Sequence, residues 1–400
     1  MNSPKTFPSY EVARCPYPFY EQMRGCPVAP AGVGGEFIVS AFDDVSFVLT
    51  NPQIFSSAST YPENGRHRTR TVQEARGATS GGFVMLDPPV QAKRRRVARQ
   101  ILKADDINSL KPLIESTIDE LIDEIEARGS CEFINDFAER LPARVVLTML
   151  GLPMEDQDRA IGWARYDGRG TRFHPSERQD AIQGTLLDVA EYMKSAIVER
   201  YETPRDDGLS RFIKEHVAAE GEFNLVNVLS DASLLMFGGV TTTAHMLGNT
   251  MKIILDDPAL HARVMSDAAS IPLILNEGLR LESPVQWVDR LCMEDVEVGG
   301  VHIPAGAIVI VLLGSANRDE AVFERPDTFA FQRRQPHVAF GKGIHTCIGA
   351  PLALAEGKLA LEKIFRRLPN IRYDDARNNF DTIGDTMLFR GLDALYLTVT

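Results

Sequence analysis

The chain has 400 residues, with 43 Lys and Arg against 55 Asp and Glu, a net charge of −12 and 44% apolar residues. With 24% charged residues, 30 Gly and 23 Pro, it falls outside the disordered, collagen-like and coiled-coil classes and is long enough to bury a large core. The acidic balance argues against nucleic acid or an anionic membrane as partner, since both attract a basic face.

Residues 37–40 predict a strand and residues 43–50 a helix. Residues 61–82 are polar and rich in Gly and Arg without a period, and predict a long loop, a feature that in a compact domain usually binds something. From Pro88 onward, a 3.6-residue period predicts helices over 89–102, 107–127 and 137–150. Pro88-Pro89 suits the first of these starts, where a missing N–H costs nothing. Ser176-x-x-Gln179 has the capping-box form and leads a helix to about residue 201. The longest helix is predicted over 224–255, and a further one over 271–282 is closed by Pro284. Short β pieces at 296–298 and 308–313 are separated by Gly299-Gly300 and Pro304-Ala305-Gly306. A last long helix over 352–367 and a strand over 394–399 complete the chain. Apolar runs such as 307–313 fall short of the ~20 residues a membrane-crossing helix needs. Residues 1–5 lack the basic-then-apolar order of a secretion signal.

No internal repeat or low-complexity linker divides the sequence. The expectation is one domain over 1–400, mainly α with small β-sheets. Its β-rich parts lie near 30–60, 285–313 and 370–400, and its helical parts over about 88–284 and 348–368.

Five cysteines, Cys15, Cys26, Cys131, Cys292 and Cys347, are scattered and odd in number. They make a poor disulfide framework and point to a reducing cytosol. Cys347 stands apart, in Phe340-Gly341-Lys342-Gly343-Ile344-His345-Thr346-Cys347-Ile348-Gly349 directly before a helix. Glycines let backbone approach a flat object closely, and a helix N-terminus favours a thiolate. A lone Cys is too few ligands for a zinc site or an iron–sulfur cluster, whereas a porphyrin iron needs only one.

This segment resembles the haem-binding loop of the cytochrome P450 family, Phe-Gly-x-Gly-x-His-x-Cys-x-Gly, at every fixed position. The resemblance extends from Asp87-Pro88-Pro89 to Phe389-Arg390-Gly391-Leu392. It implies one fold around haem b, which lies between the long central helix and the Cys loop, with Cys347 as axial thiolate and metal ligand. Phe340, Gly341 and Gly349 would cradle the ring. Arg290, His345 and Arg95 map onto family positions that hold the haem carboxylates, and Gln91 takes the place of a family His four residues before Arg95.

Glu277-Gly278-Leu279-Arg280 matches the family's ExxR pair, and Arg333 matches the third member of its structural charge network. The centre of the long helix, Gly238-Gly239-Val240-Thr241-Thr242, is costly by helix propensity at ~1 kcal/mol for each Gly. By resemblance the glycines open a groove for O2, and Thr242 is the alcohol that steers proton delivery. Thr241 stands where the family usually has Asp or Glu, so Thr241, Thr242 and water are expected to carry the protons.

Regional resemblance places substrate contacts at Val84 and Met85, at Leu234, Phe237 and Val240, at Gln286, Trp287 and Val288, and at Met387 and Leu388. These side chains imply a small hydrophobic, in part aromatic, substrate. Lys93, Arg94, Arg96 and Arg99 form a basic run expected to dock an acidic ferredoxin. The chain contains no flavin or iron–sulfur domain, so electrons from NAD(P)H are expected to come through separate proteins. The leading expectation is a cytoplasmic O2-dependent monooxygenase that hydroxylates or O-dealkylates. Two other readings are a peroxide-driven peroxygenase or oxidative-coupling variant, and a non-catalytic haem-thiolate sensor.

Overall fold

The computed structural model describes residues 7, 9–31, 36–58, 82–165, 176–331, 333, 335–378, 380 and 388–399. Most of the predicted loop over 61–82 lies outside them. Among the described residues, the helical part is organised by α1 (Val90–Ala98), α2 (Ala104–Arg128), α3 (Arg140–Leu150), α4 (Gln157–Arg165), α5 (Ser176–Glu202), α6 (Gly208–Glu220), α7 (Leu225–Asp256), α8 (Ile271–Leu281) and α9 (Ala350–Arg367). Short helical turns and the helix Pro258–Ser266 connect them. The predicted helix over 89–102 is α1 followed by a 3-10 turn Arg99–Ile101, and the one over 137–150 begins as a π turn Ile134–Ala138 before α3.

Helix α7 is the axis of the molecule. Asn224 caps it, its side chain accepting from Asn227 N at 3.1 Å, which satisfies one of the donors every helix start leaves open. At 32 residues it is about 48 Å long, and it packs against α3, α4, α5 and α8. Among the described residues, only α7 is long and apolar enough to cross a bilayer. The sequence reading found no such segment because polar residues interrupt its apolar runs. More than half of the qualifying window is buried within the protein, so burial by its neighbours accounts for its apolar character.

Among the described residues, three small sheets flank the helices. The strands are β1 (Val28–Pro30), β2 (Phe37–Val39), β3 (Phe55–Ser56), β4 (Ser130–Glu132), β5 (Val288–Cys292), β6 (Val296–Val298), β7 (Val301–Ile303), β8 (Ile308–Val311), β9 (Arg372–Tyr373) and β10 (Tyr396–Thr398). The largest sheet has the order β1-β2-β8-β5-β3, and β2 runs parallel to β8 with Phe37 opposite Val309. Strand β5 pairs antiparallel with β8, Arg290 opposite Val309, which fixes the start of the strand that carries Arg290. Strand β8 is buried at all four residues, as expected of a central strand covered on both faces.

Candidate functional site

A cavity of ≈ 320 Å³ lies between the middle of α7 and the loop leading into α9. On the loop side Cys347 N donates to Phe340 O at 2.8 Å, and Gly341 N donates to Val338 O at 2.9 Å, so the backbone is folded back on itself. Gly343 has φ +71°, and a Cβ there would lie 2.6 Å from Leu49 O, so no larger residue fits this turn. Cys347 is exposed to the cavity two residues ahead of Gly349, which caps α9. Phe340, Gly341 and Gly349 line the same wall.

Opposite them, Gly238, Gly239 and Thr242 of α7 face the cavity. A Cβ on Gly238 would meet nothing within 4 Å, so that stretch of wall is open. Thr242 Oγ1 donates to Gly238 O at 2.7 Å. Thr241 is turned the other way: its hydroxyl donates to Ala164 O, the last turn of α4, at 2.7 Å. Thr241 therefore does not share the cavity with Thr242, which corrects the expected two-threonine relay.

Arg95, Arg290 and His345 converge on one edge of the cavity. Arg290 is buried and donates to Asp289 O at 2.7 Å. Arg95 donates to Thr346 O. His345 Nε2 is 3.0 Å from Ser57 Oγ, while its Nδ1 is buried with no hydrogen-bond partner. Burial, reinforced by the Arg290 and Arg95 charges, pushes its imidazole down to about 4. Two guanidinium groups and an orphaned ring nitrogen make a cationic, hydrogen-bonding edge, beside a slot with a thiol at one face and glycines at the other. A flat iron porphyrin with two carboxylates fits these residues. Gln91 does not reach the cavity. Its amide donates to Ile344 O at 2.9 Å and braces the Cys loop, which corrects its expected contact with the haem.

Behind the loop, Glu277 receives Arg280 through two bonds of 2.8 Å and Arg333 Nε at 2.7 Å. Arg280 also donates to Asn317 O at 2.8 Å and Pro326 O at 2.6 Å. Asn317 in turn accepts from Val338 N at 2.7 Å, directly ahead of the Cys loop. Glu277 and Arg280 are almost wholly buried, and the pairing with several carbonyls offsets their desolvation.

Of the expected substrate contacts, Val84, Leu234, Trp287, Val288 and Leu388 line the cavity, as does Met85. Phe237 and Val240 lie in the core away from its wall, on the side of α7 turned from the stripe that carries Leu234, Gly238 and Thr242. Gln286 is also turned aside: it accepts from Tyr20 OH at 2.8 Å and donates to Ser283 O at 2.6 Å. Met387 lies outside the described residues.

Lys93, Arg96 and Arg99 are exposed, but Arg94 is buried against Asp231 at 2.7 Å and cannot face a partner. Sequence reasoning missed Phe83, Thr243 and Glu356 on the cavity wall. Glu356 Oε2 is buried with no hydrogen-bond partner, and burial holds its carboxyl well above the usual carboxylate range. Its position on α9, four residues after Leu352, was the available signal: a lone acid on an apolar helix face.

Comparison with known proteins agrees with this geometry. The family model described as Cytochrome P450 matches residues 170–370. The chain is 30% identical over 388 residues to Cytochrome P450 107B1 of Saccharopolyspora erythraea, covering 94% of this chain and 93% of that protein. It is 27% identical to the Biotin biosynthesis cytochrome P450 of Bacillus subtilis, with 98% of each chain covered. Among solved structures, CYP109E1 from Bacillus megaterium in complex with testosterone superposes with a TM-score of 0.87 at 27% identity, over 98% of this chain and 100% of that one. Myxobacterial CYP267B1 in complex with myristic acid gives 0.87 at 27% identity over 98% of both. This chain belongs to the cytochrome P450 family of haem-containing monooxygenases.

Proposed function

We propose that Cys347 is the axial thiolate of this monooxygenase and that its substrate is a small hydrophobic molecule, in part aromatic. The substrate is hydroxylated, or loses an O-alkyl group after hydroxylation. The observation that carries this reading is the Cys347 thiol opening into the cavity opposite Gly238, Gly239 and Thr242, with Arg95, Arg290 and His345 along one edge. When bound, the haem supplies O2 binding and the oxidising power for C–H hydroxylation.

The chain's own residues do the rest. The Cys loop holds the thiolate at the start of α9, where the helix dipole favours a negative charge. Arg95, Arg290 and His345 Nδ1 hold the two haem carboxylates. Phe83, Val84, Leu234, Val288 and Leu388 exclude water and orient an apolar molecule. Testosterone and myristic acid in the structures named above are mainly hydrocarbon ligands of those proteins, and support a hydrophobic substrate here. Thr242 Oγ1 passes protons towards O2.

Electrons from NAD(P)H arrive singly through a separate reductase and an acidic ferredoxin docked on Lys93, Arg96 and Arg99, which are exposed on α1 and the turn after it. The protein works in the cytoplasm. All five cysteines are outside disulfides, which supports a reducing compartment.

The test is a carbon monoxide difference spectrum of the ferrous protein followed by turnover with a surrogate ferredoxin, reductase and NADH. A thiolate-type Soret shift that C347S abolishes, with product formed from the electron-transfer chain and O2, is expected. A spectrum unchanged by C347S would overturn the ligand assignment. Turnover with H2O2 but not with the electron chain would overturn the O2-dependent reading.

A further inference from the structure

The turn Gly82–Met85 contributes Phe83, Val84 and Met85 to the cavity wall. Its backbone is pinned to α7 by two consecutive side chains. Gly82 N donates to Ser230 Oγ at 3.0 Å, and Phe83 N donates to Asp231 Oδ1 at 2.8 Å. Gly82 has φ +54°, and a Cβ there would lie 2.9 Å from Asp231 Oδ1 and 3.0 Å from Leu234 Cδ2. Only glycine lets the chain lie this close to the helix.

Asp231 is completely buried. Arg94 of α1 compensates it: Nε donates to Oδ2 at 2.8 Å and Nη2 to Oδ1 at 2.7 Å. The other Arg94 donors are held by Asn227, at 3.1 Å to Oδ1 and 3.0 Å to the backbone O. His216 Nε2 stands 3.2 Å from Oδ2. A buried carboxylate persists only when cations and hydrogen bonds offset its desolvation. Here the cation comes from α1, the same helix that braces the Cys loop through Gln91 and Arg95.

An ion pair serving stability alone has no need of the amide of a cavity-wall residue. Asp231 Oδ1 is shared between Arg94 and that amide, so α1, α7 and the wall meet at one oxygen. We propose that Asp231 is a positioning residue that acts through the Phe83 amide to set the wall over the haem, and so determines which substrates fit, while touching neither substrate nor haem. This rests on the haem-cavity reading above.

The chemistry of the side chain defines the test. Asn in place of Asp231 offers one acceptor oxygen and an NH2 group, so either the Phe83 amide or an Arg94 N–H faces a donor. Ser230→Ala removes only the acceptor for Gly82 and leaves the buried pair intact. Holoenzyme of the parent, D231N and S230A is titrated with imidazole, too small to reach the wall, and with 4-phenylimidazole, whose ring does reach it; the Soret shift is the readout. D231N is expected to bind imidazole as the parent does and 4-phenylimidazole roughly tenfold more weakly, the worth of one lost hydrogen bond. S230A should show a smaller loss in the same direction. Equal affinity for both probes in both variants, or parallel loss of both, would overturn the proposal. If D231N does not fold, the probe ratio of S230A decides alone: a shift supports the proposal, and none overturns it. A parent protein whose Soret band moves with neither imidazole nor carbon monoxide would sink the haem reading itself, and this proposal with it.

Discussion

Thr241 gives its hydroxyl hydrogen to the carbonyl of Ala164 at 2.7 Å, so the residue next to Thr242 ties α7 to α4. Thr242, one position on, makes its bond within the helix to Gly238 O and faces the cavity.

These two neighbours should therefore separate in function. T242A is expected to lower the fraction of NADH consumption that ends in product. T241V should leave that fraction unchanged and cost about 1 kcal/mol of stability, the net value of a buried hydrogen bond. Product per NADH, measured beside denaturant unfolding, checks both, and equal uncoupling by the two variants would contradict the assignment.

Glu277 accepts from two arginines, Arg280, which is almost wholly buried, and Arg333, which is partly buried. E277Q leaves Arg280 and Arg333 without their counter-charge, at about 3–5 kcal/mol for a broken buried pair. The expected outcome is a large fall in unfolding free energy and in haem content, while material that does retain haem keeps its thiolate-type spectrum. Stability within 1 kcal/mol of the parent, a spread typical of exposed pairs, would show the network to be dispensable.

Burial raises the Glu356 pKa, and the sign of its pH effect follows. Such a group contributes stability in full below the unfolded value near 4.3 and loses it as pH rises through the folded value. The parent should lose stability across that window. E356Q is neutral throughout and should lack this component, so the parent falls progressively below E356Q from acid to alkaline pH. Denaturant unfolding of both over a pH series reads it, and parallel curves would exclude Glu356 as the source.

Lys93, Arg96 and Arg99 are exposed where Arg94 is not. Charge reversal at Lys93 or Arg96 should slow reduction by an acidic ferredoxin by several-fold to about tenfold at low salt, with the difference fading towards 1 M, where the Debye length is ~3 Å. R94A should instead lose stability by about 3–5 kcal/mol as a broken buried pair. Stopped-flow reduction across a salt series separates the two behaviours.

The Cys loop was legible because its chemistry is contiguous: three glycines, a His and a Cys within ten residues can be read without knowing the fold. The ExxR pair was legible for the same reason, its partners lying one helical turn apart. What failed was helix phase. In α1 the buried positions Gln91, Arg94, Arg95 and Ala98 follow the helical period, and Lys93 and Arg96 point outward. A run of four basic residues conceals that alternation, because charge alone suggested a common surface. In α7, Leu234, Gly238 and Thr242 share a stripe that Phe237 and Val240 do not. Thr241 and Gln286 required tertiary knowledge, since their partners Ala164 and Tyr20 lie 77 and 266 residues away in sequence.

The pairing of β2 with β8 sets an order of events during synthesis. Phe37 leaves the ribosome long before its parallel partner Val309. Contacts so far apart in sequence form late, since a long stretch must be ordered before they repay its loss of freedom. Until β8 exists, β2 has a bare edge and the sheet that seats Arg290 is unbuilt. A nascent chain that stalls before residue 309 therefore carries an unprotected strand and an Arg290 whose neighbouring strand has not been made.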